Sequence, residues 1–210
     1  MAIDLQGQAG PQTLSDGAKA LLRQGRTGEL IAGLIGARYR EAVLRGNVYH
    51  ASVGSAGVAP GTALGTTAAF TLYNPAGSGK NLVILQASLA YISGTLGAGA
   101  VVYAANSNPI AAAVTGTGLT EVNGLVGSGN TPVGQAMHTA TLPATPTIVR
   151  PFCSLTALLA TTAVEPYTVI DDVDGALAIA PGCAVSLEAI AAAGTTPLVL
   201  FGMTWEEVPV

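Results

Sequence analysis

Beyond residue 46 the chain never runs far before a cluster of glycine, proline, asparagine or serine interrupts it, and the interruptions recur every ~8–12 residues. With 27 glycines and 12 prolines among 210 residues, no stretch sustains the 3.6-residue apolar period of a helix, and the pieces between breaks are of strand length. Segments 68–73, 81–92, 101–103, 147–149, 154–159, 167–170, 176–179, 184–190 and 198–205 read as strands. The pattern predicts an all-β chain, an antiparallel, jelly-roll-like β-sandwich over residues 47–210.

Turn chemistry and face patterns sharpen the expectation. Asn74-Pro75-Ala76-Gly77-Ser78-Gly79-Lys80 lies between two β-prone runs and reads as the long loop of a hairpin. In 184–190 one face carries Val185, Leu187 and Ala189 while the other carries Ala184, Ser186, Glu188 and Ile190, the alternation of a half-buried strand. In 198–205, Val199, Phe201, Met203 and Trp205 oppose Leu198, Leu200, Gly202 and Thr204, so both faces are largely apolar. An antiparallel strand covered on both sides implies a second protein surface, and Leu198, Leu200 and Trp205 become candidate oligomer-interface residues. Residues 104–144, rich in glycine and proline, read as a surface loop system at one end of the sandwich.

Charge divides the chain in two. Residues 1–46 carry Lys19, Arg23, Arg26, Arg38, Arg40 and Arg45 against Asp4, Asp16, Glu29 and Glu41, a net of +2, whereas 47–210 carry two basic and eight acidic residues, a net of −6. Glycines break the first part repeatedly. It reads as an extended, largely irregular arm, with a short helix over 15–23 at most, that orders against a partner. Arg23, Arg26, Arg38, Arg40 and Arg45 are its candidate partner-binding residues. Six cations diluted by four acids over 46 positions make a weak footprint for nucleic acid, and a protein partner is expected.

Only 10% of the residues are charged while half are hydrophobic, against about 25% charged in an ordinary soluble domain. Because the centres of protein–protein contacts are depleted in charge, self-association is expected. No segment offers the ~20 consecutive apolar residues of a membrane span. The N-terminus lacks the basic start and apolar run of a secretory signal, so assembly in the cytoplasm is expected. Cys153 and Cys183, without CxxC or histidine context, read as small buried hydrophobes.

Motifs that imitate chemistry fail on inspection. Gly77-Ser78-Gly79-Lys80 resembles the end of a phosphate-binding loop, but Asn74 stands where glycine is needed, Asn81 where Ser/Thr is needed, and a strand follows in place of a helix. Asp171-Asp172-Val173-Asp174-Gly175 lacks the ligand spacing and closing glutamate of an EF-hand and reads as a solvated turn, with a calcium bridge at a subunit contact as the alternative. His50 and His138 have no metal-binding spacing, and no GxSxG elbow marks a nucleophile. Glu206 and Glu207 are adjacent, so on a strand they face opposite ways and cannot act as a glycosidase pair; they read as a solvated chain end. No catalytic residue, metal or cofactor is expected.

Four runs carry a family resemblance: Arg23-Gln24-Gly25-Arg26-Thr27-Gly28-Glu29-Leu30, Ala37-Arg38-Tyr39-Arg40-Glu41-Ala42-Val43-Leu44-Arg45-Gly46-Asn47-Val48-Tyr49, Pro60-Gly61-Thr62-Ala63-Leu64-Gly65, and Asn74 to Leu82. They resemble virion structural proteins of tailed bacteriophages. The resemblance implies a capsid cement or decoration protein, a homotrimer bound to the major capsid protein on the head surface, with the arm contacting neighbouring subunits. A head-fibre, tail or baseplate protein using 104–144 is the alternative, and a carbohydrate-binding module using Trp205 a further one.

Overall fold

The computed structural model describes residues 7–8, 22–23, 37–107, 112–156 and 168–210. Its elements are β1 (Gly7–Gln8), β2 (Leu22–Arg23), α1 (Arg40–Leu44), β3 (Val48–Ser52), β4 (Thr67–Asn74), β5 (Lys80–Ser93) and β6 (Gly99–Asn106). There follow β7 (Thr115–Gly118), β8 (Val122–Asn123), β9 (Gln135–Thr141), β10 (Thr147–Leu155), β11 (Thr168–Ile179), β12 (Cys183–Ala191) and β13 (Leu198–Pro209). β1 and β2 pair in parallel. The others form two antiparallel sheets, one ordered β10-β6-β12-β4-β9-β7 and one ordered β11-β5-β13-β3-β8. The chain is a β-sandwich, as its turn pattern predicts.

Among the described residues, from β3 onward no two consecutive strands are neighbours. β3 pairs with β13, β4 with β12, β5 with β11 and β6 with β10, a nested series in which the first half of the sandwich runs against the second half in reverse. This is the long double ribbon of a jelly roll, wound so that successive strands alternate between sheets. The expected hairpin at 74–80 is therefore a corner: β4 lies in the six-stranded sheet and β5 in the five-stranded one. Asn74 fixes it. Fully buried, its Nδ2 donates at 2.8 Å to the carbonyls of both Lys80 and Ile179, and its own carbonyl accepts from Gly182 N–H, tying this corner to the one between β11 and β12.

Residues 104–144 are not a terminal loop system. Within them β9 and β7 extend the six-stranded sheet beyond β4, and β8 extends the other beyond β3, so the insertion widens both layers on one side. Two further expectations change for local reasons. Segments 147–149 and 154–159 are read as separate, but β10 runs unbroken over Thr147–Leu155 because Pro151 sits on an edge strand, where its missing N–H costs no ladder bond. Residues 171–175 form no turn between strands; they make a wide bulge inside β11, where the register jumps between Asp172 and Leu177 and Asp174 takes φ +54°.

The core holds Tyr49, Phe70, Leu72, Leu89, Leu187, Val199, Phe201 and Trp205 between the sheets. A second, smaller cluster of Ala68, Tyr73, Val114, Met137, Ala140, Leu142 and Ala184 lies apart from it. Its Ala184 on β12 and Tyr73 on β4 belong to the side of the six-stranded sheet opposite Leu187 and Leu72. β12 is thus buried on both faces along residues 184–189, not half-buried as its alternation suggests. At one end the β5–β6 and β12–β13 loops join backbone to backbone, with Thr95 N–H on Thr195 O at 3.0 Å and Ala192 N–H on Ala98 O at 2.9 Å. A Cβ at Gly97 would lie 1.8 Å from Ala192 O, so only glycine permits this approach.

Asn74→Ala takes the side-chain donor from the buried Ile179 carbonyl and leaves the Lys80 carbonyl only Ser78 Oγ at 3.2 Å, a loss of about 1–3 kcal/mol. Chemical denaturation is expected to show a lowered midpoint with an unchanged slope.

Candidate interaction surfaces

Residues 37–46 end the predicted arm, yet they lie on the sandwich. Arg38 forms an ion pair with Asp174, and the Tyr39 hydroxyl donates to the same carboxylate, in the bulge of edge strand β11. α1 follows, with Arg45 Nε donating to Glu41 Oε1 at 3.0 Å one turn back. The segment finishes at Gly46, whose carbonyl accepts from Asn123 Nδ2 at 2.7 Å on the opposite edge strand, β8. Gly46 itself takes φ +70°, which favours glycine where the chain turns down into β3. These ten residues form a strap from one edge of the five-stranded sheet to the other.

The predicted arm residues therefore separate. Arg38 is engaged within its own chain, Arg45 pairs along α1, and Arg40 opens that helix. Arg23 lies in β2, and Arg26 lies outside the described residues. Of the helix expected over 15–23, the described part is Leu22–Arg23, a strand.

Beside the strap, the outward face of the five-stranded sheet carries little charge. Register places Ile170, Ser88, Gly202 and Ser52 in one row across β11, β5, β13 and β3, and Thr168, Ala90 and Leu200 in the next. Ile170 is 61% exposed, and Leu198 and Leu200 are partly exposed. The small residues leave a shallow depression of about 360 Å³, lined by His50, Ser52, Ser88, Val122, Gly202 and Thr204. His50 Nδ1 lies 2.9 Å from Thr204 Oγ1, and desolvation holds its imidazole below the ordinary value. Trp205 does not share this face. It is fully buried, stacked on Tyr49 with centroids 6.0 Å apart, and is a core residue with no surface for a second copy.

The acidic residues serve closure. Glu207, expected at a solvated chain end, is 1% exposed: its Oε1 accepts from the amides of Val133 and Gly134 at 2.7 and 2.9 Å, and its Oε2 binds Lys80 Nζ at 2.8 Å. Asp171 takes Arg150 Nη2 on both oxygens at 3.0 and 2.9 Å and the Tyr103 hydroxyl at 2.8 Å, linking β11 of one sheet to β10 and β6 of the other. Burial, with Asp171 beside it, pushes the Tyr103 phenol far above its ordinary value. Asp172 accepts from Gln86 Nε2 at 2.8 Å. The three carboxylates of 171–174 thus diverge to separate partners and do not converge on a common point. His138 lies in β9 of the other sheet, with Nδ1 3.0 Å from Thr139 Oγ1. Cys153 and Cys183 are half-buried against the core, short of the full burial expected.

No family model, curated protein or solved structure matches this chain.

Two outcomes follow from the ion pairs. Removing a buried partner strands the groups it satisfied, so Glu207→Ala is expected to cost about 3–5 kcal/mol in equilibrium unfolding. The Arg38–Tyr39–Asp174 contact is exposed and carries little global stability. The Tyr39 hydrogen bond, then Arg38, holds the Asp174 carboxyl below its ordinary value, so the contact is present above the normal carboxylate range and lost as pH falls through the depressed value. Asp174→Asn is expected to speed amide exchange across 37–46 at neutral pH while leaving the unfolding midpoint unchanged.

Proposed function

We propose that this chain is a structural virion protein of the capsid cement type, which self-associates and binds between shell subunits. What supports the reading is one juxtaposition: the strap ties residues 37–46 to both edges of the five-stranded sheet, beside an outward face bearing Ile170, Leu198 and Leu200. A rigid body thereby offers a charge-poor surface and fixes the point at which residues 1–36, which include Lys19, Arg23 and Arg26, join it. Several weak contacts to neighbouring subunits then add through effective concentration. With Arg38 engaged internally, Arg23 and Arg26 are the arginines assigned to shell carboxylates. A host-contacting tail role draws on 104–144 as free loops, and the strands β7 to β9 lend it no support. Carbohydrate stacking draws on Trp205, which is buried.

Multi-angle light scattering on the full chain is expected to give a mass near three times 20.8 kDa. Paired Ile170→Lys and Leu200→Lys substitutions are expected to return it to monomer with the fold intact by circular dichroism. Removal of residues 1–36, which keeps the strap, is expected to abolish co-sedimentation with undecorated tailed-phage heads. Co-sedimentation at full-chain occupancy after that truncation overturns the proposal.

A further inference from the structure

Glu188 stands apart from the other buried acid. Its side chain is on β12, on the face of the six-stranded sheet opposite Leu187, and it is 2% exposed. Among the described residues, Glu207 meets a lysine and two amides, whereas Glu188 meets only Gly65 N–H on Oε2 at 3.1 Å and Ser186 Oγ at 2.8 Å from Oε1. No lysine, arginine or histidine belongs to β12, β4, β6 or the 59–66 loop, the elements packed around it; their other titratable groups are Tyr73, Tyr103 and Cys183. Tyr103 is turned into the core and bound to Asp171. A buried carboxylate with no cation is costly unless it takes up a proton.

The hydrogen-bond count points the same way. Ser186 Oγ lies within reach of two acceptors, Glu188 Oε1 and the Ala104 carbonyl at 3.2 Å, and has a single proton to give. If Glu188 is ionised, one of the two goes without. If Glu188 carries a proton on Oε1, it donates to Ser186 Oγ, Ser186 donates to Ala104 O, and Gly65 N–H donates to Oε2, so every group is served. Desolvation raises the Glu188 carboxyl above its ordinary value, opposed by the Gly65 and Ser186 hydrogen bonds.

We propose that Glu188 is held as a neutral carboxylic acid in the folded chain and that this neutrality lets the 59–66 loop close over it on β12. The loop lies alongside the second half of that strand, where Ala189 N–H donates to Pro60 O at 3.1 Å and Ala191 N–H to Thr62 O at 3.2 Å. Loss of the proton places a charge in a dry site, and the relief available is for the loop to lift and admit water. Lifting bares the amides of Ala189 and Ala191. The sign follows from proton binding: the folded chain holds the proton more tightly than the unfolded chain, so the contribution is full below the ordinary carboxylate range and lost as pH rises through the raised value.

The test is infrared spectroscopy of the full chain at neutral pH, reading the carbonyl stretch of a protonated carboxylic acid. It is paired with thermal unfolding and amide exchange from mildly acid to alkaline pH. The wild type is expected to show the acid band, E188Q to lack it, and the band to fade as pH rises. Over the same range the wild-type unfolding temperature is expected to fall more steeply than that of E188Q, and protection of Ala189 and Ala191 to fall only in the wild type. If E188Q does not fold, the wild-type band and its titration decide alone, with S186A expected to shift that titration. A missing acid band at neutral pH, superimposable pH profiles for the two proteins, or stability that rises with sodium or potassium at alkaline pH, as for an ionised Glu188 with a bound cation, overturns the proposal.

Discussion

The nested pairing of β3–β6 with β10–β13 is the constraint on which the rest of the structure depends. Each strand finds its hydrogen-bonding partner far away in sequence, so no local ribbon forms first and then grows. β13 is the extreme case, lying between β3 and β5 and carrying Val199, Phe201, Met203 and Trp205 into the centre of the core. Neither neighbouring strand is fully paired until it arrives. Such dominance of long-range contacts places folding at the slow end of the range for small domains. It also explains why polar groups that secure corners, Asn74 and Glu207, are buried: they hold chain segments that no short turn would keep together.

A chain with so few charges spends them on internal joints. Lys80 and Arg150, the two cations beyond residue 46, both pair with acids of the same chain, Glu207 and Asp171. Each pair reaches beyond the strand ladders: Lys80 and Glu207 already lie on paired strands, and Glu207 carries the link on to Val133 and Gly134. The first joins the start of β5 to the end of β13 and to the segment before β9; the second joins the neighbouring edges of the two sheets. Asp174 holds the strap in the same way from the bulge of β11. The outward face beside the strap is correspondingly left to Ile170, Leu200 and small residues.

The strands were readable in the sequence because a turn cluster stops a strand wherever the strand belongs in the fold. What a turn cluster does not carry is destination. Residues 74–80 have the composition of a hairpin loop and serve as a corner between layers, a difference decided by where β12 and β13 lie. Alternation likewise reported the inward faces of β12 and β13, but Ser186 and Glu188 look solvated until the 59–66 loop covers them. Glu207 follows the same logic: nothing near it in sequence announces the amides of Val133 and Gly134. Trp205 sat on the correct strand, and its neighbour Tyr49, 156 positions earlier by number, settled which side of the sheet it would occupy. The candidate arm residues were legible as charge and illegible as contacts, since the partner of Arg38 is an aspartate made exposed and left-handed by a bulge.

All four edges of the sandwich are poor templates for another strand. β8 has two residues and β7 four; β11 carries the acidic bulge; β10 shifts register twice and bears Pro151. An unbroken edge of this length, on a chain half of whose residues are hydrophobic, would invite strand-to-strand growth into fibres wherever many copies are crowded together. With every edge blunted, the fold closes off the one contact that its backbone would otherwise repeat from copy to copy.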